Sequence, residues 1–367
     1  MNIFQINVLL IFLYAIFFKF VWISEKSEIW LNRIIASQLF FILGFRYQFV
    51  GTDTSNYFET YNNIVNFGFG DIVHNSYQDK GYVFIQWVIS RFQVDFQFFL
   101  TILAFFNIVI LAFVIEKYSQ NVFLSWILFL SLDFYGFYFN GIRQALAMTL
   151  LFLSFHFLYE KKIKTSLLIY FFAVTIHFTA IIFGIIFILY KIQINFNNIF
   201  VLLLSLITMY FFRIDIAEIF VNSFKEGRYL DEISGSVGNV GTTFLIICIC
   251  IFINLYTNPP WKGENQLNKL YTCILVVAAI VQSLSAISYI FTRLNHYFFV
   301  FIIICFPYIL SNINGRKLKF PESQWKILYK LLSLLLIIIC VVYYIPKIEP
   351  ENSNNGILPY YFMWERS

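Results

Sequence analysis

Twelve apolar runs, each cut off by Gly, Pro, Asn or a charge, occupy most of this 367-residue chain. They fall at 3–23, 34–48, 96–115, 122–139, 143–159, 165–176, 178–190, 198–212, 242–256, 270–290, 294–310 and 327–345. About 20 apolar residues cross the hydrocarbon of a bilayer, and in hydrocarbon a single segment satisfies its own backbone only as a helix. With 60% apolar and 12% charged residues, the chain departs far from the roughly 45–50% and 25% of a soluble domain. The expected fold is an all-α, polytopic integral membrane helical bundle of about 11–12 spans, one transmembrane domain over 1–367. The first run has no basic flank and no small-residue cleavage site, so it reads as a retained span.

Residues 165–190 admit one tilted helix or two short helices meeting at His177. Two short helices, with the N-terminus outside, put 15 of 25 Lys and Arg residues in inner loops, 13 of them Lys, as the positive-inside rule expects. Of the ten on the outer side, seven are Arg. A guanidinium grips phosphate or carboxylate through a planar fork, whereas an ammonium acts as a point charge. An anionic partner on the outer face follows. Two outer loops are long, 49–95 and 213–241, and the start of the second has helical apolar spacing suited to the membrane surface. The net charge of +5 is small and dispersed, which argues against nucleic acid. The five cysteines lie in apolar runs without metal-ligand spacing and read as core thiols.

A few polar residues interrupt this pattern. Arg143 follows Asn140, a good N-cap, and so falls in a first helical turn, where the dipole already favours an anion. Either Asp133 in the preceding span answers it, or a phosphate or pyrophosphate does. Arg293, after Thr292, repeats the pattern, against the alternative that it snorkels to the interface. His177 is either a packed core histidine or, at a helix start, a neutral ring able to take a proton from a hydroxyl. Asp53, in the turn Gly51–Thr54, either caps the helix carrying Tyr57 and Tyr61 or joins those rings in holding a sugar. Arg46, at the end of its span, is a weaker anion ligand, and Gln144 and Arg228 complete the expected substrate contacts. Motifs for metal-nucleotide, zinc or elbow-serine chemistry are absent from the sequence, and no cofactor is expected.

The segments RYQFVGTDTSNYFETY, GIRQALAMTLLFLSFHFLYEKKIK, AVTIHFTAIIF, FTRLNHYF and ILPYYFMW together resemble the EpsG family, of the Wzy-like polysaccharide polymerase group. The resemblance implies a bacterial inner-membrane enzyme that joins undecaprenyl-pyrophosphate-linked oligosaccharide repeats into capsule, O-antigen or exopolysaccharide on the outer leaflet. Its partners would be a lipid-linked donor and acceptor, membrane lipid, a chain-length regulator and a flippase. By carry-over, Arg143, His177, Asp53 and Arg293 match the family's motif residues. The family's acidic residue before Gly-Tyr corresponds to Asp79, which Lys80 separates from Gly81-Tyr82, so no role is assigned to it. A polyprenyl-phosphate-dependent monoglycosyltransferase, with Asp53 and Glu59 as an acidic pair, is the nearest alternative. A lipid-linked oligosaccharide flippase is a further one.

Overall fold

The computed structural model describes residues 2–66, 70, 78–192, 195–212, 241–261, 265–313, 321–349 and 356–365. The chain forms two compact units, 1–178 with 320–367, and 179–319. Every apolar run falls on a helix, and the described residues form helices without a named strand.

In the first unit, α1 (Ile3–Ile16) opens on a capping box between Asn2 and Gln5 and widens into a π-helical turn at Phe17–Val21. α2 (Ser27–Gly44) packs against α5 (Phe96–Tyr118). α6 (Val122–Ser131) and α7 (Phe134–Asn140) meet at a 55° bend. Asp133 sits at that bend with φ +66°, a left-handed conformation that a helix cannot pass through and that Asp tolerates better than most residues. α8 (Ile142–Tyr159) and α9 (Ile163–Ile176) form an extensive pair, locked by reciprocal bonds between Ser154 and Ser166. Small hydroxyl residues facing each other allow such close helix approach. α16 (Glu322–Tyr344) returns against α6.

The segment 49–95, expected as a loop, contains two helices, α3 (Thr54–Asn66) and α4 (Lys80–Ser90). They pack through Ile64, Val83 and Trp87, so the described part of this segment is folded. The predicted surface helix at 213–241, with Arg228, lies outside the described residues.

The second unit begins one residue into a 3₁₀ helix (Phe178–Gly184), which leads into α10 (Ile185–Lys191), followed by α11 (Phe196–Phe211), α12 (Gly241–Thr257) and α13 (Gln266–Ser283). α14 (Tyr289–Phe299) and α15 (Ile302–Ser311) are bent by 53°. α13 is the hub, packing against α10, α11, α12 and α14.

Among the described residues, five helices are long and apolar enough to cross a membrane, or seven if each bent pair is one span. The protein is a polytopic helical membrane protein. The count falls below the number of apolar runs because several helices, including Ile163–Ile176, Phe178–Lys191 and Gly241–Thr257, are shorter than a full span. The break at His177 is present, with one helix ending at Ile176 and another beginning at Phe178.

Candidate functional site

Asp79 is the N-cap residue of α4, yet its carboxylate makes no bond to the start of that helix. It turns instead toward α8 and the end of α9. Oδ2 accepts from Arg143 Nη1 at 3.1 Å and lies 3.4 Å from His177 Nδ1. Oδ1 accepts from the Phe178 N–H at 3.3 Å, capping the start of the 3₁₀ helix. The side chains of Asp79, Arg143 and His177 are each about a fifth exposed, so the cluster borders solvent without being bathed in it. Burial pushes the Asp79 carboxyl up, but the His177 ring, the Arg143 guanidinium and the Phe178 N–H outweigh it and hold the group below the usual carboxylate value.

The approach of α4 to α9 depends on Gly81. A Cβ there would stand 2.7 Å from both the Cβ and the carbonyl carbon of Thr175, which backbone cannot yield. The Lys80–Gly81 step thus brings Asp79 under the His177 break. This is the residue that sequence reasoning left unassigned; the signal was an acidic residue near Gly-Tyr, displaced by one position.

Arg143 is the second residue of α8, in the first turn as expected. Its partner is Asp79 and not Asp133, because the bend at Asp133 redirects the chain before α8 begins. The guanidinium also lies 5.9 Å from the centroid of the Tyr57 ring, and its Nε is buried without a hydrogen-bond partner. Gly141, not Asn140, is the N-cap residue of α8. Asn140 Oδ1 instead accepts from the Thr52 N–H at 2.6 Å and the Thr52 hydroxyl at 3.2 Å. It thereby fastens the Gly51–Thr52–Asp53 turn three residues before Arg143. Gly51 is required there: its φ is +120°, and a Cβ would meet Asn140 Oδ1 at 2.7 Å.

His177 is the C-cap of α9, with extended backbone and its N–H bonded to Ala173 O. The expectation of a helix N-terminus around the ring is corrected: Phe178, not His177, opens the next helix, and a carboxylate rather than a dipole faces the imidazole. Arg293 is also displaced. Ser288, whose hydroxyl accepts from the Ile290 N–H, caps α14, so Arg293 is its fifth residue and lies beyond the first turn.

The Asp53 carboxylate accepts from the Thr52 hydroxyl at 3.3 Å, while its backbone carbonyl accepts from the Tyr57 N–H. Tyr57 is buried and packs edge-on against Tyr82. Tyr61 stacks on Phe99 and donates its hydroxyl to Val94 O. Gln144 is buried in the first turn of α8. Beside α3 lies an open cavity of about 670 Å³ whose lining includes Gln48, Phe58, Tyr61, Asn62, Arg91 and Asp95.

The EpsG family profile matches residues 29–362, and this range contains the whole Asp79–Arg143–His177 cluster. The chain belongs to the EpsG family. EpsG proteins are Wzy-like polymerases, and the family implies a role in exopolysaccharide biosynthesis. Neither a curated protein nor a solved structure matches this EpsG chain.

Proposed function

We propose that this EpsG protein polymerises lipid-linked oligosaccharide repeats on the outer leaflet of the bacterial inner membrane, taking the growing glycan from undecaprenyl pyrophosphate. The observation that supports this most is one carboxylate facing a histidine ring and an arginine at once. In the neutral tautomer that donates Nδ1–H to Asp79, His177 Nε2 is the acceptor. It takes the proton of the acceptor hydroxyl as the new bond from that oxygen to the anomeric carbon forms. The bond from the anomeric carbon to the pyrophosphate oxygen breaks, and its electron pair leaves with the undecaprenyl pyrophosphate. Arg143 keeps donors beyond the one given to Asp79 and holds that developing charge. Arg293 is a second candidate for the same anion, and Arg228 and Gln144 are candidate substrate contacts. Asp53 is a candidate sugar contact, and the cavity beside α3 separately offers planar polar groups and aromatic rings, the surface chemistry that suits a sugar. Positioning and charge stabilisation suffice for a substrate that already carries a good leaving group, so the reading requires no metal.

Surface-glycan length tests it. Deletion of the gene should leave single exported repeats, restored to long polymer by the wild-type gene. Loss of all exported glycan would indicate a flippase, and polymer of unchanged length whose repeats lack one sugar would indicate a monoglycosyltransferase. External thiol labelling of cysteines placed at 62 and 177, in a chain without native cysteines, should report both positions on the outer side.

A further inference from the structure

Arg46 presents a problem that its own surroundings do not solve. The residue is 2% exposed, and neither Nε nor Nη1 meets a hydrogen-bond partner among the described residues. The ion pairs found there are Lys117–Glu160, Arg143–Asp79 and His177–Asp79, none of which involves it. Its guanidinium lies 4.7 Å from the Phe139 ring centroid. An aromatic face returns less than the removal of a full charge from water takes away. A guanidinium cannot discharge itself by losing a proton, so these two buried donors leave room for an anion to answer them.

A short C-terminal segment, 356–365, runs along the backbone at Arg46, and its Tyr360 ring lies 6.5 Å from the Phe139 ring on which the guanidinium rests. Phe362 forms an antiparallel bridge with Arg46. The bridge is flanked by bonds from the Tyr47 N–H to Tyr361 O at 2.8 Å and from the Met363 N–H to Phe45 O at 2.9 Å. Further ties run from the Tyr360 hydroxyl to Ile42 O and from the Gly51 N–H to Gly356 O. These few bonds, made along one edge, are what a ligand would have to part. The site also shares a stretch of chain with the cluster at Asp79: Phe139, under Arg46, precedes Arg143 by four residues.

We infer that Arg46 is the anchor of a second anion site, for a phosphate or pyrophosphate group, closed by segment 356–365. The assignment of the group to a lipid rests on the polymerase reading, in which donor and acceptor each carry a pyrophosphate and Arg143 answers one of them. The chemistry of the site itself does not depend on that reading.

The test uses full-length protein in detergent, with inorganic pyrophosphate and undecaprenyl pyrophosphate as separate probes, and Arg46→Met and Arg46→Lys as variants. Without ligand, Arg46→Met should unfold at the same temperature as wild type or higher, because an unanswered buried charge has been removed. It should lose one class of pyrophosphate site, with affinity there falling about tenfold or more, and Arg46→Lys should lie between. Binding of both probes assigns recognition to the anion alone; binding of the lipid probe alone assigns the opening of segment 356–365 to the lipid. A lower unfolding temperature for Arg46→Met with every pyrophosphate site intact would make Arg46 a structural cation and overturn the site. So would a wild-type protein that binds neither probe. Glycan length separates the two readings: single repeats from an Arg46→Met protein that binds normally removes this site and leaves the polymerase. Lost binding, in a protein whose deletion does not change glycan length, does the reverse.

Discussion

The two compact units differ in the kind of polar group they bury. In the first, a carboxylate, a guanidinium and an imidazole meet at the end of a helical connection. The second carries its acidic residues only at 215–232 and 264, so its described part contains no Asp or Glu. Many of its buried or partly buried polar contacts join neutral groups, beside a Lys269 ammonium that donates to Tyr190 O at 2.9 Å. Asn254 donates to Asn268 Oδ1 and Thr272 Oγ1, Asn258 and Asn265 both donate to the Tyr308 hydroxyl, and Asn295 donates to Gln282 Oε1. Neutral amides between helices in a membrane act as adhesive, worth roughly 0.6 kcal/mol each in measured cases. A partly buried charge cluster is a poor adhesive, because desolvation offsets most of the attraction. Its presence in one unit points to chemistry there and to packing in the other.

The sharpest challenge to this contrast is His177→Ala, which removes the proposed base and should reduce polymerisation about 10²–10⁴-fold, with normal insertion. His177→Gln should restore little, since an amide accepts no proton. Long polymer from both variants would return His177 to packing. Asp79→Asn should rival this loss and also lower stability by about 1–3 kcal/mol, because it deprives Arg143 and His177 of their carboxylate; calorimetric unfolding alongside glycan length measures both.

Arg143→Lys keeps the charge and loses the fork, and should cost about tenfold or more in initial rate with purified lipid-linked repeats. Gly81→Ala should reach a comparable loss by a different route, separating α4 from α9 while leaving each charged residue in place. Asn254→Ala, in the second unit, should cost about 0.5–2 kcal/mol of stability with unchanged turnover per folded molecule. If it abolishes turnover in well-folded protein, the division between adhesive and chemical polarity fails.

The smallest effect concerns acid. The Asp79 carboxyl is held below its usual value in the folded protein, so its contribution is present above the unfolded value of about 3.9 and is lost as pH falls through the lowered folded one. Thermal unfolding should therefore show the full contribution of Asp79, with no pH dependence from it, between about pH 5 and 8, and a loss only below about pH 4. In Asp79→Asn that acid-side loss should shrink.

Much of this organisation was readable from residue order. Apolar run lengths carry the helices, and charges on either side of 165–190 carry the break at His177. The turn at Gly51 was visible because few residues other than Gly reach such backbone angles. What escaped were choices made by distant partners. Asn140 looked like a helix cap, but Thr52, 88 positions away, claims its side chain. Asp133 looked like the natural answer to Arg143, but a left-handed residue at that position turns the chain aside. Asp79 was visible as an acid near Gly-Tyr, but its value lies in Thr175 being backed by a residue with no side chain, and pairing across 64 and 99 positions leaves no local pattern. Arg46 reads from the sequence as a weaker anion ligand at the end of its span, and the sequence carries no sign of the C-terminal segment that pairs with it.

Those separations also have a meaning in time. Chains are synthesised at about 5–20 residues per second, and Phe178 follows Asp79 by 99 positions. The carboxylate therefore exists for roughly 5–20 s before its last partner has been made. Until Arg143 is made, 64 positions after Asp79, α3 and α4 have their own apolar contacts through Ile64 and Val83, but the Asp79 carboxylate has only water to face. A truncated product ending before α8 would carry those two helices with the acidic end unanswered, a chemical mark by which an unfinished chain differs from a finished one.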